Sequence, residues 1–529
     1  MRRIAAVLLM GVILAGCAGG DAPVATGSVP TESAVATIEP TAMPTEAVPE
    51  EAAFAPIDAE ALMTEELKDI IDANRTGMYI HADSETIATM RSYMLEDIDP
   101  VTDAALAEEV RRLSEAAGSV EVPQTLTREQ IMAELDYLFL LLKYGYAGYG
   151  YSGGDASFNA IRAGMDARLA AWPDEIETAD YVTKLLAPYL RMLIQDKHFV
   201  IGGGGTYRII GTQMDFYYSE EYFFYKDGED YRTVIDGETY VLAAADAEAA
   251  CLVPTLDKDG ALAYMPGAQA DASNLALYYA LNLTHASTGE ALSTDGYMRA
   301  ASYEYALDMA KSESKYRLSE VNGVPVLECR SLTPDATDAM DGFPGTAYSL
   351  RKADAAVLDL RGNAGGTQVL AARWMQMLTG KSISVGQPLT TNLVTETSRA
   401  FVTNGDAGLR PANDSVWTDI LNVPKPEQLP NKTLLFVLTD GFCVSSGELL
   451  TSFARRTENV VIVGSPTAGC AQFMNIGWSY LPESGLMIQF GIELDIQKDL
   501  SSFENYGYAP DLWVPPGESL ERVMAFLGR

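Results

Sequence analysis

The feature that most constrains the fold of this chain is a buried-strand pattern that recurs in its C-terminal part. Short apolar runs stand at residues 355–360, 433–438 and 460–463, and a turn with glycine follows each of them. Runs without polar alternation are typical of strands covered on both faces, as in a parallel sheet. Helical segments follow the first two runs, so the pattern predicts an α/β core, which we place at residues 318–529.

Two regions with different patterns of apolar residues precede this core. A capping-box pattern at Thr127–Gln130 precedes apolar residues at helical spacing, and we predict a helical domain at residues 57–200. After a run of four glycines the texture changes to alternating apolar and polar residues with Asp-Gly and Asn-Gly turns. These turns are hairpin signals, so residues 201–317 are predicted to form a β-rich insertion. The aperiodic segment 385–430 is expected to lie over the surface.

The first residues are typical of an export signal. Arg2 and Arg3 precede an apolar stretch at residues 4–14, which is too short to span a bilayer. The sequence Leu14-Ala15-Gly16-Cys17 resembles the lipobox of bacterial lipoproteins. It predicts a signal peptide at residues 1–16 and lipidation of Cys17, which anchors the chain to the membrane in the cell envelope, outside the cytoplasm. The alternative is an ordinary secretory signal with an incidental cysteine.

Residues 17–56 follow as a predicted disordered tether. Alanine, proline, threonine, glutamate and valine dominate this stretch, and no aromatic residue occurs in it before Phe54. Such a composition buries too little apolar surface to offset the conformational entropy lost on folding.

Net charge and histidine content narrow the classes of function. The chain has 37 Lys+Arg against 73 Asp+Glu, a formal net charge of −36, which repels nucleic acid at long range. We therefore predict no nucleic-acid partner. Only three histidines occur, His81, His198 and His285, and no pair of them has metal-ligand spacing. No metal and no cofactor are predicted.

Two strand ends carry residues suited to nucleophilic catalysis. Gly365 and Gly366 follow the first buried strand in a turn whose N–H groups are able to stabilise an oxyanion. Ser445 stands where the second strand turns into a helix, a geometry that exposes a nucleophilic hydroxyl. The structural alternative is that Ser445 and Glu448 simply form a capping box. His198, at the end of a predicted helix, is the candidate base, although a surface or core histidine is the alternative reading.

These segments together resemble a known family of serine peptidases. The motif at 357–366 resembles "DLRxNxGG", Ser445–Glu448 matches "SxxE", Val463–Gly469 resembles "VGxxTxG", and Glu504–Gly507 resembles "ENxG". This order is that of the tail-specific (carboxyl-terminal processing) proteases and the tricorn protease core. The resemblance implies an α/β (α+β) catalytic core of the tail-specific protease, crotonase-like type. Many members carry a PDZ module, but residues 201–317 show no convincing carboxylate-binding loop.

The residue after Gly469 indicates the branch of the family. Tail-specific proteases have a lysine base at this place, whereas this chain has Cys470. The tricorn-like branch uses a histidine from an Asp-x-His segment and a glutamate from "ENxG", which correspond to His198 and Glu504. The residue before the histidine is a hydroxyl residue in that branch and is Lys197 here. Glu504 therefore orients His198 directly, through water, or not at all.

The resemblance implies a catalytic set of Ser445, His198 and Glu504. The oxyanion would be held by N–H groups of Gly365 or Gly366 and of Ser446, while Glu448, Asp359 and Arg361 are expected to be structural. Cys443 and Cys470 flank the site, either as a disulfide or as two buried thiols. The predicted function is a membrane-anchored extracytoplasmic serine endopeptidase acting on protein or peptide substrates. The alternative is a catalytically inactive, peptide-binding lipoprotein with the same fold, and a weaker one is a tyrosine-rich polysaccharide binder.

Overall fold

The structure of this chain is a computed structural model. It describes residues 54–76, 78, 82–116, 121–203, 205–305, 314–334, 340–383, 388–403, 409–422 and 428–529. The predicted signal peptide, the lipidation residue Cys17 and the tether up to residue 53 lie outside the described residues, as does His81, so these remain predictions from sequence.

The N-terminal part of the described chain is largely helical, as predicted. Its elements are α1 (Ala59–Leu62), α2 (Glu65–Asn74), α3 (Ser84–Tyr93), α4 (Pro100–Ala116), β1 (Thr125–Thr127), α5 (Arg128–Gly145), α6 (Gly154–Ala170), β2 (Glu175–Glu177), α7 (Thr178–Asp180), a π-helix (Tyr181–Leu186) and α8 (Ala187–Leu190). Helix α5 begins at the predicted capping box, in which the Thr127 N–H donates to Gln130 Oε1 at 2.9 Å. None of the described helices is long and apolar enough to cross a membrane.

An eight-stranded antiparallel sheet forms most of the β-rich region. The strands from this part of the chain are β3 (Val200–Gly203), β4 (Thr206–Ile209), β5 (Met214–Tyr218), β6 (Tyr225–Asp227), β7 (Asp230–Ile235), β8 (Glu238–Leu242), β9 (Leu252–Leu256), β10 (Leu262–Asp271), β11 (Leu277–His285) and β12 (Ala291–Ala300). The sheet has the order β6-β7-β8-β11-β12-β5-β10-β9. Two of the predicted Asp-Gly turns close the β6–β7 and β7–β8 hairpins. Strands β3 and β4 lie outside this sheet and join the core.

The C-terminal part alternates strands and helices, as the buried-strand pattern predicts. Its elements are β13 (Tyr316–Val321), β14 (Val324–Cys329), a 3₁₀-helix (Phe343–Thr346), α9 (Ala347–Leu350), β15 (Ala355–Asp359), α10 (Gln368–Thr379), β16 (Leu389–Asn392), α11 (Glu396–Ala400), β17 (Val402–Thr403), β18 (Leu434–Thr439), α12 (Ser446–Arg455), β19 (Val460–Gly464), β20 (Phe473–Tyr480), β21 (Met487–Ile496), β22 (Leu512–Trp513), a 3₁₀-helix (Pro516–Glu518) and α13 (Ser519–Phe526).

The central sheet of this core is mainly parallel. Its order is β13-β14-β15-β18-β19-β22, and only the β13–β14 hairpin is antiparallel. Helices α10 and α12 cover one face, where residues such as Trp374 and Phe453 pack on the strands. Helices α2 and α13 cover the other face. Coverage of both faces explains why β15, β18 and β19 are continuous apolar runs.

A second sheet connects the core with the helical region. It has the order β17-β20-β21-β3-β4, and β16 pairs with β21. Its apolar face packs against α5 and its neighbours in the largest described hydrophobic cluster. The expectation that segment 385–430 is only a surface covering was wrong, since β16 is part of this sheet and Trp417 is buried. The strand is short and polar, so it gives little periodic signal.

Candidate functional site

The carboxyl ends of three neighbouring parallel strands meet at one place. Strands β15, β18 and β19 are adjacent and in register, and each continues into a loop that carries a predicted site residue. The Ser445 N–H donates to the Cys470 carbonyl at 3.2 Å, which joins the loops after β18 and β19. A Cβ atom built on Gly365 would lie 2.8 Å from the Ser445 Cβ, so the glycine bend after β15 is directly beside the serine.

Ser445 occupies a strained turn between β18 and α12. Its φ of 54° and ψ of −122° lie in a region that side-chain-bearing residues rarely adopt. The Glu448 half of the predicted capping box is present, because Glu448 Oε2 accepts the Ser445 N–H at 3.2 Å. The Ser445 hydroxyl oxygen lies 4.0 Å from the Met474 sulfur. The turn thus aims the hydroxyl away from the strand and toward the second sheet.

One of the N–H groups predicted to bind the oxyanion already donates a hydrogen bond within the protein. The Gly365 N–H donates to Asn363 Oδ1 at 2.9 Å, so it is occupied. Gly366 and Ser446 are joined by a hydrogen bond from the Ser446 hydroxyl to the Gly366 carbonyl at 2.7 Å. Within the described part of the chain, the backbone N–H groups of Gly366 and Ser446 donate to no acceptor. Of the three predicted donors, these two are therefore available to a ligand oxygen.

An ion-pair cluster fixes the glycine bend, as expected of Asp359 and Arg361. The Asp359 carboxylate accepts hydrogen bonds from Arg361 at 2.8 Å and from Arg330 at 2.8 Å. These two guanidinium groups hold the pKa of Asp359 well below its usual range despite complete burial. The bend brings two segments of the backbone close together, because a Cβ on Gly366 would lie 2.1 Å from the Leu332 carbonyl carbon.

His198 is buried and its imidazole is only partly bonded. The residue is 1% exposed, and its Nδ1 has no hydrogen-bond partner among the described residues. Burial lowers the pKa of His198 to about 4, although a hydrogen bond with the backbone of Phe473 opposes that shift. The imidazole is thus neutral at ordinary pH, which is the state a proton acceptor requires.

Glu504 contacts the residue before the histidine and not the imidazole. Its carboxylate accepts the Lys197 N–H at 2.8 Å and the Gln472 N–H at 3.0 Å. Burial raises the pKa of Glu504 well above its ordinary value, and the nearby Asp196 carboxylate adds to that shift. Of the three open alternatives, direct orientation of His198 is not what the structure has. Glu504 instead fixes the backbone on which His198 is carried.

The Lys197 side chain lies in the site, although no sequence motif indicates its position. It is 2% exposed, and its ammonium donates to the carbonyl of Ala468, two residues before Cys470. Burial lowers the pKa of Lys197, while Cys470, Glu504 and Glu448 act in the opposite direction. The cation thus lies beside the place where tail-specific proteases carry their lysine. Only a tertiary contact reveals this, since 271 positions separate the two bonded residues.

His198 and Ser445 contact consecutive residues at the start of β20. The imidazole is hydrogen-bonded to the backbone at Phe473, and the Ser445 hydroxyl contacts Met474, the next residue of β20. No hydrogen bond joins the imidazole and the hydroxyl in the described structure. The predicted pair therefore shares one region, and Met474, which no sequence motif marked, lies against the hydroxyl.

Comparison with known proteins identifies the class to which this site belongs. The model of Peptidase family S41 matches residues 329–514, the segment that carries the glycine bend, Ser445 and Glu504. This part of the chain is therefore similar to peptidase family S41, which confirms the resemblance drawn from the motifs. The protein is a serine-type peptidase. His198 lies outside the matched segment.

Several solved structures resemble the chain. A putative peptidase from Parabacteroides merdae is 10% identical, with a TM-score of 0.42, covering 76% of this chain and 97% of its own. Mature CPAF is 13% identical, with a TM-score of 0.42 and coverages of 75% and 95%. A lipoprotein from Streptococcus agalactiae is 12% identical, with a TM-score of 0.32 and coverages of 77% and 98%. No curated protein matches the chain.

The structure predicts that the cysteines around the site are protected thiols. Cys443 and Cys470 are both free and fully buried, which favours the second of the two alternatives left open by sequence. We expect iodoacetamide to modify the half-buried Cys251 in the native protein and to spare Cys443 and Cys470 until the protein is unfolded. Peptide mapping by mass spectrometry checks this. Labelling of Cys443 and Cys470 that requires both unfolding and a reductant would show a disulfide instead.

Proposed function

We propose that this serine-type peptidase is an extracytoplasmic, membrane-anchored endopeptidase in which Ser445 is the nucleophile and His198 the base. The observation that carries the proposal is the strained turn of Ser445, beside the N–H groups of Gly366 and Ser446, which have no acceptor among the described residues. Strain at one residue costs about 1–3 kcal/mol and is usually kept only where it serves a function. A merely capping serine needs no such conformation.

The proposed reaction is acyl transfer to the serine. His198 removes the proton from the Ser445 hydroxyl as the oxygen attacks the carbonyl carbon of the scissile peptide bond. The imidazolium then returns this proton to the nitrogen of the leaving amine, and an ester of Ser445 remains. Water attacks the ester with the same assistance from His198, which releases the acid product and restores the hydroxyl.

The two free backbone N–H groups have a separate role in this proposal. The carbonyl oxygen of the scissile bond becomes negative during attack, and the donors of Gly366 and Ser446 would bind it. Loss of one such donor in other serine peptidases costs roughly 10²–10³ in kcat. Asn363 supports the arrangement, because it occupies the Gly365 N–H and so fixes the orientation of the bend.

Substrate binding must bring the imidazole and the hydroxyl together. Met474 is the side chain that touches the hydroxyl, and methionine is flexible enough to move aside. Catalytic hydrogen bonds are often long in substrate-free enzymes and tighten in the complex. Glu504 is a positioning residue in this scheme, since it holds the Lys197 backbone and not a reacting atom.

The nucleophile and the base are tested by active-site labelling. We expect a fluorophosphonate probe to modify Ser445, and Ser445→Ala or His198→Ala to reduce labelling and peptide hydrolysis by roughly 10³-fold or more. His285→Ala and Ser287→Ala, in the β-rich region, are the matched controls and should react like the wild type. Undiminished labelling of Ser445→Ala would contradict the proposal, as would a labelled protein that binds unfolded peptides without hydrolysing them.

The burial of His198 predicts an unusual acid limit of activity. A general base works only in its unprotonated form, so kcat/KM should fall as the pH drops through the pKa of the free enzyme. Since burial lowers the pKa of His198 to about 4, activity should persist well below the ordinary histidine value of about 6.5. The measurement is kcat/KM against pH with a peptide that lacks titratable side chains. A midpoint near 6.5 would contradict this burial.

Membrane anchoring is proposed from the first residues of the chain. The support is the basic start, the apolar stretch and the lipobox-like segment that ends at Cys17. We expect an alkyne-bearing fatty acid to label the wild-type protein metabolically and not to label Cys17→Ala. Cys251→Ala is the matched control and should label normally. Labelling of Cys17→Ala, or none of the wild type, would contradict lipidation.

A further inference from the structure

A cavity of about 300 Å³ is lined by residues that neighbour the candidate site. Met474, whose sulfur contacts the Ser445 hydroxyl, forms part of its wall, as does Ala471, next to Cys470. Gln368, the first residue of α10 after the glycine bend, and Leu449, on the helix that starts after Ser445, also line it. The elements that carry the site residues therefore also enclose the cavity.

Two carboxylates form one side of this cavity. Glu493 and Asp495 are two positions apart on β21, so both side chains lie on the same face of the strand. Glu493 pairs across the sheet with Met474 on β20. Directly opposed residues have Cβ atoms about 4.5–5.5 Å apart, so the Glu493 side chain is next to Met474, the residue that touches Ser445.

The neighbouring strand orients these carboxylates. On β16, Asn392 is opposite Glu493 and Thr390 is opposite Asp495. The Thr390 hydroxyl donates to Asp495 Oδ1. Asn392 Oδ1 accepts a hydrogen bond from Asn475 at 3.0 Å, which leaves the Asn392 amide group to donate to Glu493. Each carboxylate thus has one neutral donor and retains further acceptor capacity.

The charges of the cavity are not balanced by the residues that line it. Asp419 adds a third carboxylate, and none of the described lining residues is a lysine or an arginine. Burial raises the pKa of Glu493 to about 7 and, together with repulsion from Glu493, raises the pKa of Asp495 well above its ordinary value. An opposite charge placed between them would favour their ionised forms and so act against both shifts.

We propose that this cavity binds a lysine or arginine side chain of the peptide substrate, at a residue that flanks the scissile bond. The inference rests on the proposed function, because it takes Ser445 as the point of attack. A peptide bound at Ser445 has a side chain on either side of the attacked carbonyl, and Met474 both contacts the Ser445 hydroxyl and lines the cavity. Its carboxylates provide charge-assisted acceptors for a cation.

The same geometry rejects other side chains. An apolar side chain of equal length would fill the cavity without giving the carboxylates a charged partner, so it would gain no charge-assisted hydrogen bond. An acidic side chain would add a like charge. A divalent metal ion is a less suitable occupant, since no three His, Cys, Asp or Glu side chains among the described residues are placed so that they could hold a metal ion together.

The test compares cleavage by the full-length protein and its cavity variants. Peptides released from a mixture of unfolded proteins are sequenced by mass spectrometry, and a cleaved peptide is then resynthesised with lysine, methionine or glutamate at the preferred position. We expect enrichment of lysine and arginine beside the cleaved bond. Glu493→Gln and Asp495→Asn should each lower kcat/KM for the lysine peptide by about 10- to 100-fold. The methionine peptide should change by no more than about twofold.

Controls separate this inference from the proposed function. Asp499→Asn removes an exposed carboxylate beyond the end of β21 and should leave the lysine preference unchanged. Fluorophosphonate labelling of Ser445 in each variant reports whether the site is intact. A labelled, active wild type without preference for basic residues would overturn the inference alone, as would equal losses on the lysine and methionine peptides. A preference that a chelator abolishes would point to a metal and overturn it too. A wild type that is neither labelled nor active would overturn both proposals.

Discussion

A buried carboxylate, Glu448, holds together the loops on which the rest of the site depends. It accepts the backbone N–H groups of Ser445 at 3.2 Å, Gly469 at 2.7 Å and Cys470 at 2.7 Å. These donors come from the ends of two parallel strands, so one side chain fixes the serine turn against the loop after β19. Hydrogen bonds to a charged acceptor are the stronger kind, and this one is fully buried. The strained conformation of Ser445 persists because such contacts leave it no relaxed alternative.

Several other ionisable side chains near Glu448 are buried. Lys197, Glu504 and Asp196 lie close enough to influence one another. Burial raises the pKa of Glu504 and of Asp196 and lowers the pKa of Lys197, so it favours the neutral form of each. Groups perturbed in this way are common at catalytic sites. Lys197 differs in sequence position from the lysine of tail-specific proteases, which follows the "TxG" motif. Its side chain extends to that loop from the residue before the histidine.

The parts of this structure that could be predicted from sequence are those set by local patterns. Apolar runs and glycine turns identify the parallel strands, and strand ends in such a sheet meet at one edge, which brings the loops of Gly365 and Ser445 together. Nothing local indicates the path of the Lys197 side chain or the contact between Met474 and Ser445. Strand β16 escaped detection because its four residues, Leu389–Asn392, are mostly polar and gain their order from pairing with β21. Glu493 and Asp495 alternate with apolar residues, a pattern that equally describes a solvent-facing strand.

The central claim is that the serine turn and the glycine bend together form a site for a reacting carbonyl group. The most direct measurement is a crystal structure of the protein inactivated by a peptide boronic acid. We expect a bond from the boron to Ser445 Oγ and a boronate oxygen within hydrogen-bond distance of the N–H groups of both Gly366 and Ser446. A boronate attached to Ser445 whose oxygens point away from both groups, or attached to another residue, would contradict it.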